Sequence, residues 1–306
     1  ASDVYKRQFQ YNVVTDEQVA KGILLQDKYR VVILPRLITL STEQARAIEA
    51  FANAGGTVIA DYLTGVLDEN GVGRPEGGAL DGFFGIQRNE GKGYFNGKTI
   101  AEINAELYQK PFMERLSYKG AITWNKLVVA ERGLTAKTSK AGAQVNDVDI
   151  LVKNTIGSGR SVYLNLTPVA YFDLNTRLGD VGDQWRRLMS NLLADAELKP
   201  RAQVIEVGSA NKNQLVPLSE VVFWRQGDEV VIGVVKNPTR KASISDAGII
   251  DEVFGAPMEI ELRLIKPVTH IRNLRTGQTL PDGDIISAIW DPGAALLFQV
   301  AWPEKE

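Results

Sequence analysis

Four carboxylates that follow one apolar run, Asp61, Asp68, Glu69 and Glu90, are the side chains of this sequence best placed by type and spacing to do acid–base work. A glycosidic bond is broken by two carboxyl groups about 5 to 9.5 Å apart flanking the sugar, and all four lie near loops after one predicted strand. Asp61 is the most pointed of them, since it stands at the carboxyl end of that strand, where open α/β sheets place their ligands. Aspartate there also caps turns, and that reading is favoured. Asp68-Glu69 beside Asn70-Gly71 reads as a solvated turn on the same chemistry. Arg36, Tyr62 and Tyr171 fall at predicted strand exits and could stack on or hydrogen-bond a sugar. They suit a protein interface equally well.

Nucleophilic chemistry has little to work with. The chain has no cysteine and a single histidine, His270, so a Ser-His or Cys-His mechanism must use that residue or none. His270 lies in a predicted strand far along the chain from every candidate nucleophile and reads as a sheet-surface residue. One His and no Cys leave only carboxylates for a metal, at no EF-hand spacing. No catalytic residue is assigned, and neither a metal nor a cofactor is expected. Gly157-Ser158-Gly159 invites a phosphate-loop reading, but it falls short of the full motif and leads into a strand rather than a helix N-terminus, so a hairpin turn is predicted. Trp224, Trp290 and Trp302 could form a carbohydrate platform, while strand alternation predicts core packing for at least two of them.

The elements that would position these groups are legible in part. Val31 to Leu34 is a β-branched run closed by Pro35 and reads as a buried parallel strand. Ser41 and Gln44 have capping-box spacing at the start of a helix whose apolar face is Ala45, Ile48, Phe51 and Ala52, ended by Gly55-Gly56. Thr57 to Ala60 is the next strand, so the unit is βαβ with a right-handed crossover. Glycine-rich loops follow from Gly65 to Gly97 around a short helix near Leu80 to Phe84. Strands are predicted at Ile122 to Glu131, Val148 to Asn154 and Ser161 to Leu166, and a helix over Asp183 to Ala196 with Pro200 beyond it. After Pro200 no helical period of useful length appears. A hairpin over Val221 to Val235 and strands at Ile260 to Ile265, Val268 to Leu274 and Ala295 to Ala301 predict an antiparallel sandwich.

At 306 residues the chain exceeds the roughly 250 to 300 at which one hydrophobic core stops growing, which predicts a medium domain and a smaller one. A formal net charge of -2 gives no electrostatic footprint for nucleic acid or anionic lipid. No apolar run approaches the roughly 20 residues that cross a bilayer. Asp3-Val4-Tyr5-Lys6-Arg7-Gln8 is what a transposon end used in sequencing-library preparation encodes, so residues 1–8 are expected to be a scar, with natural sequence missing upstream.

The blocks VVILP, STEQARAIEAFANAGG, TVIADYLTGVLDENG, LDGFFGI and GSGRSVYLNLTPVAYF, in this order and spacing, together resemble the β-galactosidase trimerisation domain, the amidotransferase-like middle domain of family 42 glycoside hydrolases. The resemblance covers residues 9–199, and Val268 to Gly277 is similar to the small β-domain that closes such proteins, over 200–306. It implies an α/β fold with a flavodoxin or class I glutamine amidotransferase-like parallel sheet and flanking helices, then a smaller antiparallel β-sandwich. In enzymes built on that α/β unit, the strand here written Thr57 to Ala60 runs into an elbow that presents a cysteine. The elbow here falls near Asp61-Tyr62-Leu63, and a phenol with an ordinary pKa of about 10 is a poor substitute for a thiol. In the family the catalytic glutamates lie on an upstream barrel. The resemblance therefore implies a non-catalytic part that joins protomers, as a trimer, and walls a neighbouring barrel's active site. Its partners would be copies of itself and a carbohydrate substrate of the parent enzyme. The alternative is a free-standing carbohydrate-binding module with its ligand near Arg36, Asp61 and Tyr62.

Overall fold

Thr57–Asp61 forms a strand whose first four residues are buried. A strand covered on both faces belongs inside a layered sheet, and this one lies between Val31–Leu34 and Gly159–Leu164, parallel to both. The computed structural model describes residues 9–88, 96–99, 101–102, 112–118, 122–129, 131, 133–145, 148–165, 167–168, 180–208, 213–227, 229–237, 239–241 and 251–303. Two more strands, Val148–Ile156 and Lys140–Val145, extend the sheet in antiparallel pairing. The five-stranded sheet is thus mixed, which corrects the expected parallel sheet. The physical reason is the turn at Gly157-Ser158, because a two-residue connection can join only antiparallel neighbours.

The predicted helix runs over Thr42–Asn53, and its capping box is formed on both sides. Gln44 donates its backbone N–H to Ser41 Oγ at 3.1 Å, and Ser41 donates its own to Gln44 Oε1 at 2.8 Å. Such a cap contributes about 1 kcal/mol and fixes where the chain turns back from the strand exit. Ala45, Ile48, Phe51 and Ala52 are buried, and they share one cluster with Val32, Leu34, Val58, Ala60 and Tyr163. The apolar stripe of this helix therefore covers one face of the sheet. The short helix Asp81–Phe84 puts Phe83 and Phe84 into the same cluster.

The chain divides into two compact units, the first drawn from residues 13–171 and 191–198, the second from the remainder. In the second, seven strands pair antiparallel around Met258–Asn273, a 16-residue strand that the sequence reads as two because of Pro267. Its first half pairs Ala202–Glu206 and Gly283–Trp290; its second half pairs Leu296–Ala301, and a register shift between Arg263 and Val268 separates them. Instead of the two sheets of a sandwich, one sheet curls so that both halves close over a single core. That core includes Val204, Ile232, Leu262, Ile286, Trp290 and Phe298. His270 is exposed on the long strand with a left-handed backbone, and its N–H donates to Asp282 Oδ1 at 2.8 Å.

Candidate functional site

The strand Thr57–Asp61 ends in an elbow. Thr64 closes it by donating both its N–H and its hydroxyl to the Asp61 carbonyl, at 3.2 and 2.6 Å. Leu63 takes the left-handed conformation at φ 61°, which a branched apolar side chain adopts only under strain. The residue at the strained point of the elbow is thus a leucine, completely buried, and it offers no attacking atom.

The side chain of Asp61 does something other than the turn-capping expected of it. It reaches across to the neighbouring strand exit, where Oδ1 accepts the backbone N–H of Arg36 at 2.6 Å. Arg36 is itself left-handed, at φ 47°. Asp61 therefore holds the first strand's exit in an unfavourable backbone state through one bond from backbone to side chain. Burial pushes the Asp61 carboxyl up to about 7, against the lowering effects of the Arg36 N–H and the Arg36 charge. The sign follows from linkage. Between about pH 4 and pH 7 the unfolded chain gives up this proton while the folded chain keeps it, so stability falls as pH rises through that window and levels off above it. Asp61→Asn keeps an acceptor for Arg36 and removes the charge. The variant should nearly match the parent at pH 4 and exceed it by roughly 4 kcal/mol at pH 8, as read from urea unfolding at the two pH values. Equal pH dependence in both proteins would contradict this assignment.

Tyr62 is the clearest departure from the sequence reading. It is fully buried, because the elbow turns the chain back into the core. Its ring can neither stack on a ligand nor meet a partner. Tyr171 and Glu90 lie outside the described residues. Asp68 is a turn residue, its Oδ1 accepting the N–H groups of Asn70 and Val72, both at 2.9 Å. Arg36 does reach a concave surface, a cavity of about 350 Å³ lined also by Asp16, Thr39, Ser41, Gln44 and Glu69. This volume is at the low end of the roughly 300 to 1,000 Å³ of ligand sites. Asp16 and Glu69 bring two carboxylates to one cavity, but both are exposed. A general acid of a glycosidase is kept protonated by a dry surrounding, which neither has. Ser41 is committed to its helix cap.

A buried ionic cluster lies behind the elbow, and the sequence reading missed it. Arg88 donates from Nε and Nη2 to the two oxygens of Asp81, at 2.9 and 3.0 Å, from Nη1 to Glu131, and from Nη2 to the Tyr163 hydroxyl at 3.3 Å. The same hydroxyl accepts the backbone N–H of Leu63 at 3.1 Å. Burial alone would lower Arg88, but Glu131 and Asp81 outweigh it and hold the guanidinium firmly charged. Burial raises the Tyr163 phenol well above its ordinary range, so it stays neutral. The arrangement can position the elbow, and its charged groups are spent on one another. Asp81 and Arg88 are seven residues apart, but Glu131 and Tyr163 are distant from both in sequence, and no local motif signals the set. Among the described residues no three His, Cys, Asp or Glu side chains gather to hold a metal ion.

The sequence profile described as the β-galactosidase trimerisation domain matches residues 3–199. The chain belongs to that family. Three solved structures resemble it in fold. A β-galactosidase from Bacillus circulans sp. alkalophilus is 17% identical, with a TM-score of 0.58 over 98% of this chain and 36% of that one. A catalytic mutant of Gan42B, a GH42 β-galactosidase from G. stearothermophilus, is 14% identical, with a TM-score of 0.57 over 98% and 35%. A cold-adapted β-galactosidase from Rahnella sp. R3 is 12% identical, with a TM-score of 0.51 over 89% and 32%. No curated protein matches the chain in sequence. The chain spans about a third of the length of these β-galactosidases. The trimerisation-domain match covers most of the first unit, including the elbow and the cluster behind it.

Proposed function

We propose that this chain is the non-catalytic assembly part of a β-galactosidase-like glycoside hydrolase, in which residues 9–199 join copies of the chain, as a trimer, and residues 200–306 form an accessory β-domain. On this reading a catalytic barrel on sequence outside the chain carries the sugar chemistry, and the α/β part helps to wall its active site. The α/β part is derived from an amidotransferase-like scaffold. The single observation behind the proposal is the elbow, where buried Leu63 occupies the strained position and offers no attacking atom. The family match and the relation to a third of the length of GH42 enzymes support it. Among the described residues no helix is long and apolar enough to cross a membrane. The purified chain should release no nitrophenol from nitrophenyl β-galactoside above a buffer blank. Turnover that disappears on changing Asp61 or Glu69 would overturn the non-catalytic reading.

The cavity beside Arg36 favours a second reading, a carbohydrate-binding module with its ligand at the strand exits. Calorimetric titration with galactosides separates the two. Saturable heat abolished by Arg36→Ala belongs to the module, and its absence to the assembly part.

A further inference from the structure

Three tryptophans of the second unit have different fates. Trp290 is completely buried and donates Nε1–H to the Ala294 carbonyl at 2.8 Å. Trp302 packs edge-on against Phe223, ring centroids 5.1 Å apart. Trp224 is 52% exposed, on the strand Ser219–Gln226. It lies on the outer face of the curled sheet, as alternation dictates, because Val221, Val230, Ile232, Val234 and Phe298 take the inner face.

What lies under the ring is informative. The benzo edge of Trp224 covers Gly233, so closely that a Cβ there would meet ring carbons at 2.5 and 2.8 Å. Gly233 has no left-handed backbone to account for it. It is glycine in the middle of a strand, which costs about 0.5–1 kcal/mol against alanine, and what the missing side chain provides is the space into which the indole settles. Val222 Cγ2 would lie 3.3 Å from the same Cβ and flanks the ring. The benzo edge is therefore packed on the sheet, and the rest of the indole is turned to water.

Beyond the apolar Val222 and Val231, a bonded polar pair stands on that face. Across the sheet Trp224 is in register with Val231, Val231 with Gln299, and Gln299 with Arg272. Gln299 donates Nε2–H to Glu229, two residues before Val231 and so a diagonal neighbour of the tryptophan. An indole with a carboxylate diagonal to it, itself bonded to an amide one strand further on, offers apolar contact together with a donor and an acceptor on one face.

We propose that Trp224, Glu229 and Gln299 form a surface subsite for a β-linked hexopyranoside, with the sugar's C–H face on the indole and its hydroxyls turned to the carboxylate and amide. Galactose fits this chemistry, since its axial hydroxyl stands on one ring face and leaves the other to C–H bonds. A nucleobase could stack on the same ring, but nucleic acid needs clustered cations for its phosphates, and here the diagonal neighbour of the indole is a carboxylate, Glu229.

The test is titration of the full chain with β-1,4-galactotetraose, followed by NMR of the five tryptophan indole N–H resonances, with Trp224 assigned by its loss in Trp224→Ala. The expected result is a saturable shift of the Trp224 resonance, with affinity weakened at least tenfold in Trp224→Ala and less in Trp224→Phe. Glu229→Gln, on the exposed border, should weaken binding while leaving the seated indole in place. No shift of the Trp224 resonance, or binding unchanged by Trp224→Ala, would overturn the proposal. So would a change in oligomeric state on Trp224→Ala without any sugar response, which would make the platform a protein contact.

Discussion

Arg88→Met should destabilise the first unit by about 3–5 kcal/mol, the cost of leaving buried carboxylates without their cation. Asp81 and Glu131 both direct oxygens at Arg88, whose side chain is 4% exposed. Removing the guanidinium leaves two anions facing each other where water cannot replace it. Methionine fills comparable volume, so the loss is electrostatic rather than a cavity effect. The damage should also travel along the hydrogen bonds. Tyr163 loses its bond from Arg88 and holds Leu63 less firmly, so the Leu63 amide should exchange with solvent faster in the variant. Urea unfolding measures the first effect and hydrogen exchange the second. The combination Arg88→Met, Asp81→Asn, Glu131→Gln should recover most of the stability, because a complete ionic cluster can often be replaced by neutral groups at little cost. A loss below about 1 kcal/mol in the single variant would place the cluster in a wetter environment than its burial implies.

Gly159→Ala is expected to cost about 3 kcal/mol through overpacking, although it adds one methyl group. A Cβ at this position would lie 2.1 Å from the Ala52 carbonyl oxygen and 2.3 Å from that of Gly56. Both obstacles are backbone atoms at the end of the helix Thr42–Asn53, so neither can rotate away. The hairpin must lift from the helix, and the bonds from Ser158 N–H to Asn53 O and from Arg160 N–H to Gly56 O, at 3.3 and 3.1 Å, stretch with it. Thermal unfolding of the variant checks the effect. A melting temperature equal to the parent's would mean that the helix end and the hairpin move apart freely.

The same hairpin marks the limit of what sequence could say. Glycine spacing and the strand after it identified a turn and ruled out a phosphate loop, but not that the turn reverses the sheet into antiparallel pairing. Alternation reports which face of a strand is buried and is silent about its partner's direction. The start of the helix Thr42–Asn53 was legible because Ser41 and Gln44 act on each other over three residues. Tyr62 was misplaced because a strand exit normally opens to solvent, whereas here the left-handed Leu63 folds the chain inward. The strand Gly283–Trp290 escaped notice for another reason. Ile285 and Ile289 point outward while Ile286 and Trp290 point inward, so no alternation remains to be read. The ionic cluster was invisible in principle, since Asp81, Arg88, Glu131 and Tyr163 meet only once the sheet, a short helix and a loop are assembled.

For the candidate site the legible part was Arg36 and Asp61. Both lie at the carboxyl edge of the parallel strands, as the topology of α/β sheets requires. What they do there depends on a bond between backbone and side chain 25 residues apart, which no motif encodes.

Sedimentation velocity of the intact chain across the micromolar range asks most directly whether this architecture works by joining copies of itself. A species of three chains, dissociating on dilution, is the predicted result. A single monomer boundary at every concentration would contradict the account.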